Sequence, residues 1–227
     1  MSKEQIAVVI LAAGVSSRMG GVKKEYQKLG NTGNTVLETV FSAFAKVPLI
    51  DLIVIVIPEN DEAAASAALP AALKTPKLLF VNGGKTRRDS VFNGLSVLTP
   101  FNPCYVLIHD GARPWVSPAL ICNIIAAVKK HGAVIPMLPL TETPKEIEQR
   151  IEDTFIKTHL KRTNIGIAQT PQAFTFPEIL HAHEKAAQVC GEEFTDDAEI
   201  WGRFAGQVAV IPGEPENKKI TFPEDLT

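Results

Sequence analysis

Residues 11–26 read LAAGVSSRMGGVKKEY and follow directly on the apolar run IAVVI at 6–10. A buried strand that opens into small residues, one arginine and two adjacent lysines is furnished for an anion. Ala12, Ala13 and Gly14 carry so little side chain that backbone N–H groups can approach a polyphosphate closely. Arg18 offers a planar fork for two phosphate oxygens, and Lys24 a mobile point charge. Such a set would neutralise a bound polyphosphate. Two familiar phosphate cradles are absent. There is no GxxxxGK[ST], and no GxGxxG, because Ser16 stands two positions after Gly14 and Gly20 lies one too far along. Neither ATPase nor nicotinamide chemistry is indicated.

Four further segments carry polar side chains of the same kind: NGGKTRRDS (82–90), HDGARP (109–114), TDDAE (195–199) and NKKIT (217–221). Asp110, at the end of an apolar run and beside basic loops, suits a metal or a ribose; capping the turn before Pro114 is the plainer use. Asp196 and Asp197 serve either the site or the N-terminal end of a helix, where they counter the dipole. Arg88 reads as a surface neighbour of Arg87. His109 points away from its neighbour Asp110 and reads as a core histidine.

The elements that must hold these segments alternate. Apolar runs at 6–11 and 52–57 predict buried strands, KLLFV (77–81) a third strand and YVLIHDGARP (105–114) a fourth that runs into a loop, before AVIPMLP at 133–139. Between them, Leu37, Val40, Phe41, Phe44 and Val47 share one helical stripe, residues 60–73 predict a helix broken near Pro70, and residues 86–98 repeat helical spacing. Ser117 and Pro118 supply an N-cap and first-turn proline for a helix that closes on Gly132. This βαβα rhythm predicts a Rossmann-like, doubly wound, mostly parallel mixed sheet with helices on both faces. In such sheets ligands bind at the carboxyl ends of the strands, which is where the polar segments fall. Residues 141–163 are charged and lack a core stripe, so they predict a solvated excursion or an arm reaching a partner subunit. Two helical stretches (177–190 and 196–205) and a strand near 207–213 complete the pattern. The expectation is one domain over 1–227 with an inserted arm at about 139–164.

Composition bounds the function. With 45% hydrophobic and 21% charged residues the chain has material for an ordinary core. A net charge of −2 argues against a general nucleic-acid binder, so any positive site is local. No apolar run approaches the ~20 residues of a membrane span, and MSKEQ leads into a strand with no signal or transit segment; a cytoplasmic protein is expected. Cys104, Cys122 and Cys190 form no CxxC pair and are expected as buried reduced thiols; with no HExxH either, no protein-built zinc site is expected.

Six motifs in register carry a resemblance. LAAGVSSRMGGVKKEY is similar to the LAAGxGxRM…PKQ(Y/F) signature of nucleotidyltransferases of the sugar-nucleotide type. GGKTRRDSVFNGL is similar to GGxxRxxSVxNGL, VLIHDGARP to VLVHDAARP, and AQTPQAF, TDDAE and NKKIT to TPQ.F, TD(D/E)A and NxKxT. Together, from residue 6 to 226, they resemble the 2-C-methyl-D-erythritol 4-phosphate cytidylyltransferases of the non-mevalonate isoprenoid pathway, whose sister family uses ribitol 5-phosphate. Three departures stand out. Ser16 replaces a loop glycine, Lys23 the proline before the catalytic lysine, and Glu142 the aspartate of an acceptor-side D-T-x-K.

The resemblance implies that CTP and a sugar-alcohol phosphate give a CDP-alcohol and pyrophosphate, with Mg²⁺. It implies catalytic roles for Arg18, Lys24 and Lys219, with Lys23 the alternative to Lys24. It implies nucleotide binding by Ala12, Ala13, Gly14, Gly83, Gly84, Arg87, Ser90, Asp110 and Gly111, with Asp110 beside the metal. Around the acceptor it implies Arg113, Thr143, Arg162, Thr170 and Thr195, with Thr143 and Arg162 given across a homodimer by the arm. Three other readings remain: ribitol-5-phosphate transfer, a transferase using UTP or GTP, and a non-catalytic nucleotide-binding module.

Overall fold

Four of the apolar runs become interior strands because helices cover both of their faces, while the run at 77–81 forms a half-exposed strand at the sheet edge. The computed structural model describes residues 4–14, 16, 19–30, 32–70, 77–189 and 191–226. Strands β1 (Ile6–Leu11), β2 (Leu52–Ile57), β3 (Lys77–Asn82) and β4 (Tyr105–Asp110) run parallel in the spatial order β3-β2-β1-β4. The sheet then takes on mixed character. After β4 comes the antiparallel β9 (Gln172–Thr175), then β5 (Ala133–Pro139), with β10 (Ala209–Pro212) parallel to it at the edge. The far end of β5 also pairs with β8 (Gly166–Ala168).

Alternate residues of each strand serve opposite layers. Val8, Ile10, Ile53 and Ile55 pack against α1 (Val36–Ala45), α2 (Glu62–Ala67) and α4 (Pro118–His131). Ala7, Val9, Val54 and Val56 pack against α3 (Arg87–Ser96), α5 (Phe176–Ala187) and α6 (Asp197–Phe204). The sheet is therefore doubly wound, as the alternating pattern predicts. The stripe Leu37, Val40, Phe41, Phe44 and Val47 is buried as spaced, and Thr35 caps α1 by accepting from the Glu38 amide at 2.9 Å. Truncating a side chain as enclosed as Phe44 costs about 3–5 kcal/mol. α2 ends at Ala67, ahead of Pro70; the rest of that predicted helix, 71–76, lies outside the described residues.

Two sequence expectations are corrected. Cys104 and Cys122 are exposed free thiols, not buried ones. Cys122 falls between the inward stripe of Ile121, Ile124 and Ile125 and so turns to solvent, while Cys104 precedes β4 rather than beginning it. Cys190 lies outside the described residues. Nor is Arg88 a simple surface group: it bonds the Ala186 carbonyl at 3.1 Å and the Asp89 carboxylate at 3.2 Å, fastening α3 to the end of α5.

The charged stretch 141–163 forms an antiparallel hairpin of β6 (Lys145–Arg150) and β7 (Asp153–His159) that pairs with no other strand among those described. It leaves Ile147, Ile151, Phe155 and Ile156 largely in solvent.

Candidate active site

The order β3-β2-β1-β4 places a topological switch point between β1 and β4, where successive crossovers leave in opposite directions and a crevice opens. Leu11 and Asp110 sit side by side as the last partners of those strands. Each loop continues its strand by one more backbone bond before turning away: Ala12 N–H to Val56 O at 2.8 Å, Gly83 N–H to Ile57 O at 2.8 Å, and Gly111 N–H to Leu11 O at 2.9 Å. The loops consequently crowd one another. A Cβ on Gly111 would lie 2.7 Å from the Leu11 carbonyl, and one on Gly83 2.5 Å from the Ala13 side chain, so these glycines permit the close approach.

Above the strand ends lies a cavity of about 320 Å³, lined by Ala13 and Gly14 from the first loop, Gly84, Arg87 and Ser90 from the β3–α3 segment, Asp110 from β4, and Lys24 and Lys219. Ser90 is buried and its hydroxyl accepts from the Gly84 amide at 3.0 Å, which pins the glycine loop to α3. The capping box of Thr86 and Asp89 holds the start of that helix. The two adjacent lysines separate. Lys23 bonds Asp61 at 2.7 Å, with the Tyr26 hydroxyl reaching the same oxygen at 3.4 Å, whereas Lys24 lines the cavity. Arg18 lies outside the described residues.

Asp110 is the electrostatic centre. Lys219 Nζ stands 2.8 Å from its Oδ2, Arg113 Nε 3.6 Å from the same oxygen, and Arg87 Nε 3.9 Å from Oδ1. Burial by itself would raise this carboxyl; Lys219, Arg87 and Arg113 together outweigh it and hold the group well below the ordinary carboxylate range. Arg87 in turn bonds Asp197 Oδ2 at 2.8 Å, and His183 Nε2 lies 3.2 Å from Oδ1 of the same residue. Burial would lower the Arg87 guanidinium, but Asp197 and Asp110 hold it charged. Asp197 is fully buried, so it is more than a helix-end charge, whereas Asp196 does cap α6, accepting from the Glu199 amide at 2.9 Å.

Behind Asp110 runs a chain of neutral donors. The Asp110 amide donates to Thr170 Oγ1 at 3.1 Å, Thr170 lies 3.1 Å from His109 Nδ1, and His109 Nε2 lies 3.1 Å from the Arg113 carbonyl. A carbonyl only accepts, so Nε2 carries the proton and Nδ1 accepts from the threonine hydroxyl. Burial pushes His109 down to about 4, which keeps that tautomer neutral. Asn217 ties this layer to the lysine segment: its amide donates to the Thr170 carbonyl and its own carbonyl accepts from Arg113, both at 2.8 Å.

The acceptor-side residues are dispersed. Arg113 and Thr170 back Asp110 rather than line the cavity, and Thr195 donates to Glu199 at 2.7 Å at the start of α6. Thr143 is exposed at the root of the hairpin, and Arg162 bonds the Thr141 carbonyl at 2.9 Å in a separate open cleft of about 760 Å³. Sequence reasoning passed over Glu25, Lys85 and Thr86, which also line the first cavity, and the buried partner His183. Lys85 and Thr86 lie inside the quoted GGKTRRDS segment; nothing local marks Glu25 or His183.

A family model described as IspD, 2-C-methyl-D-erythritol 4-phosphate cytidylyltransferase, matches residues 6–227. The chain belongs to the IspD family. A "Bifunctional enzyme IspD/IspF" of Bartonella tribocorum is 39% identical over 224 residues, covering 97% of this chain and 54% of that protein. The chain thus spans about half the length of the curated relatives it matches, as with the Brucella anthropi enzyme at 40% identity and 54% coverage. Among solved structures, 4-diphosphocytidyl-2C-methyl-D-erythritol synthase from Anaerococcus prevotii superposes with a TM-score of 0.85 at 33% identity, covering 98% of this chain and 93% of that one. The cytidylyltransferase of Thermus thermophilus gives 0.75 at 30% identity, covering 98% and 95%. The IspD fold expected from the motifs is therefore the fold found.

Proposed function

We propose that this IspD-family chain transfers the cytidylyl group of CTP to 2-C-methyl-D-erythritol 4-phosphate, releasing pyrophosphate. The observation that carries the reading is the convergence of Lys219, Arg87 and Arg113 on one buried carboxylate, Asp110, beside a loop of minimal side chains at the sheet's switch point. Those cations exceed what Asp110 alone requires, and an arriving triphosphate would share them.

The acceptor's phosphate oxygen attacks the α-phosphorus in line with the departing pyrophosphate. No covalent enzyme intermediate is needed, so catalysis rests on positioning and charge neutralisation. Ala12, Ala13 and Gly14 let backbone amides approach the phosphates. Gly83, Gly84 and Ser90 present backbone and hydroxyl groups to the pyrimidine edge, and Asp110 and Gly111 flank the ribose. In this proposal Arg18 and Lys24 neutralise the α-phosphate, and Lys219 bridges nucleotide and acceptor phosphates. Asp197 holds Arg87 in line with the cavity.

Among the described residues no group of three or more His, Cys, Asp or Glu gathers to cage a metal. Of the two acids on the cavity wall, Asp110 and the buried Glu25, Asp110 would serve as the protein ligand of Mg²⁺ carried in on triphosphate oxygens. The cation would add charge neutralisation at the leaving pyrophosphate. The acceptor pocket is completed by Thr143 and Arg162 of a second copy reaching over on the hairpin, with Thr170, Thr195 and Arg113 at its base. Support for that homodimer comes from the exposed Ile147 and Phe155 on a hairpin that pairs with no other strand among the described residues. The unit would be one nucleotidyltransferase domain with its arm, acting where CTP is made, in the cytoplasm. Among the described residues no helix is long and apolar enough to cross a membrane.

Pyrophosphate release measured across four nucleoside triphosphates and two acceptors tests this. Turnover with CTP and methylerythritol phosphate is expected. Preference for ribitol 5-phosphate, for UTP or GTP, or binding without turnover would each replace the proposal.

A further inference from the structure

The reaction above leaves one buried acid on the cavity wall without a task. Glu25 is 3% exposed, sits in the short turn Lys24–Tyr26, and lines the same cavity as Gly14, Lys24 and Lys219. Its Oε2 is shut off from solvent and has no hydrogen-bond partner among the described residues. An ionised carboxylate so placed loses most of its hydration. A hydrogen bond from Glu25's own backbone N–H, then Lys24, Lys23 and Lys219, offset part of that cost. Two of them are already shared with other acids, Lys23 with Asp61 at 2.7 Å and Lys219 with Asp110 at 2.8 Å. Burial prevails, and the Glu25 carboxyl is raised above its ordinary range.

The remaining groups around the cavity are Arg87 and Lys85 from the β3–α3 segment and Asp110 from β4. The neighbouring Tyr26 phenol is pushed up to about 12, by burial first and then by Asp61, and stays neutral. A nucleoside triphosphate entering this space brings several negative charges and draws lysine ammonium groups toward its own oxygens. Both changes disfavour a carboxylate at Glu25.

We infer that Glu25 couples nucleotide binding to proton uptake. One proton passes from solvent to a Glu25 carboxyl oxygen as the triphosphate enters, and returns when the products leave; an O–H bond forms and nothing else changes. The neutral acid gains a donor, so a repulsive neighbour of the phosphates becomes a hydrogen-bonding one. The inference rests on this cavity being the nucleotide site.

Calorimetric titration of CTP with Mg²⁺ into wild type and Glu25→Gln, from about pH 5.5 to 8.5, tests it. The titration of CTP itself is common to both proteins and cancels in the ratio of affinities. Relative to the variant, wild type should lose up to about tenfold in affinity per pH unit across the window where Glu25 titrates. Above that window the variant should bind several-fold more tightly. Wild-type heats in two buffers of different ionisation enthalpy count protons without the variant, and an uptake beyond that of CTP alone is expected. Parallel pH profiles, or an uptake that CTP alone accounts for, overturn the inference and leave the nucleotide site standing. An absence of CTP binding in both proteins at every pH would overturn the nucleotide reading, and the inference with it.

Discussion

Around Asp110 the charges find their partners within one chain, whereas on the hairpin apolar side chains stand largely in solvent and no other described strand pairs with it. Lys219, Arg113 and Arg87 meet one buried carboxylate, and Arg87 continues to Asp197. On β6 and β7, Ile147 and Ile156 pair across the strands and remain 63% and 53% exposed. Under the proposed function the contrast shows where each half of the site would be made. The proposed nucleotide end lies on loops that leave adjacent parallel strands of a single chain. Thr143 and Arg162, proposed for the acceptor, lie away from that cavity in the described chain.

Substitutions can break this contrast or sharpen it. The largest effect is expected for Asp110→Ala, which leaves Lys219 and Arg113 without their anion while Arg87 keeps Asp197. Losing one partner of a buried pair costs about 3–5 kcal/mol, reduced here by the solvent that reaches Lys219, and is to be read from chemical denaturation. A midpoint unchanged from wild type would mean that solvent already screens these cations. Next comes Lys24→Ala, expected to lower kcat by about 10²–10³ with little change in CTP affinity, by analogy with removing one donor to a developing oxyanion. A fall confined to Lys23→Ala would reverse the assignment, since Lys23 is bound to Asp61.

Stability against pH follows from the layer behind Asp110. His109 is held down to about 4 from an ordinary 6.5, so between those values the unfolded chain takes up a proton that the folded one refuses. Stability is full above about pH 6.5 and falls by roughly 3 kcal/mol toward pH 4. Below that, Asp110, also held low, extends the loss as it is forced to protonate. Melting temperatures across this range should show the slope, and His109→Gln should flatten it. The smallest effect is expected at the arm: Ile147→Lys should weaken self-association by about tenfold in sedimentation experiments and leave CTP affinity unchanged.

Much of the frame was legible from periodicity. The apolar runs and the Leu37–Val47 stripe became strands and a helix, and the sheet order brings all the polar segments but TDDAE to one crevice, which TDDAE reaches only through Asp197 on Arg87. Register also selected Lys24, which lines the cavity, over Lys23. What escaped was pairing over long separations. Arg87 and Asp197 lie 110 residues apart, and no local pattern joins them. Glu25 sits among charged neighbours like any surface acid, and its burial arises only when the turn packs under the cavity. The exposure of Cys122 was hidden by the apolar residues beside it, because a helix buries a stripe and leaves the positions between in solvent.

The division between an intrachain nucleotide end and a shared acceptor end is tested most directly by mixing two inactive proteins, Lys219→Ala and Arg162→Ala. If the arm crosses, each mixed dimer gathers both defects in one site and restores the other, so pyrophosphate release returns to about half the wild-type rate per mixed dimer. If both residues serve the same chain's site, mixing restores nothing, and the account of the acceptor end is wrong.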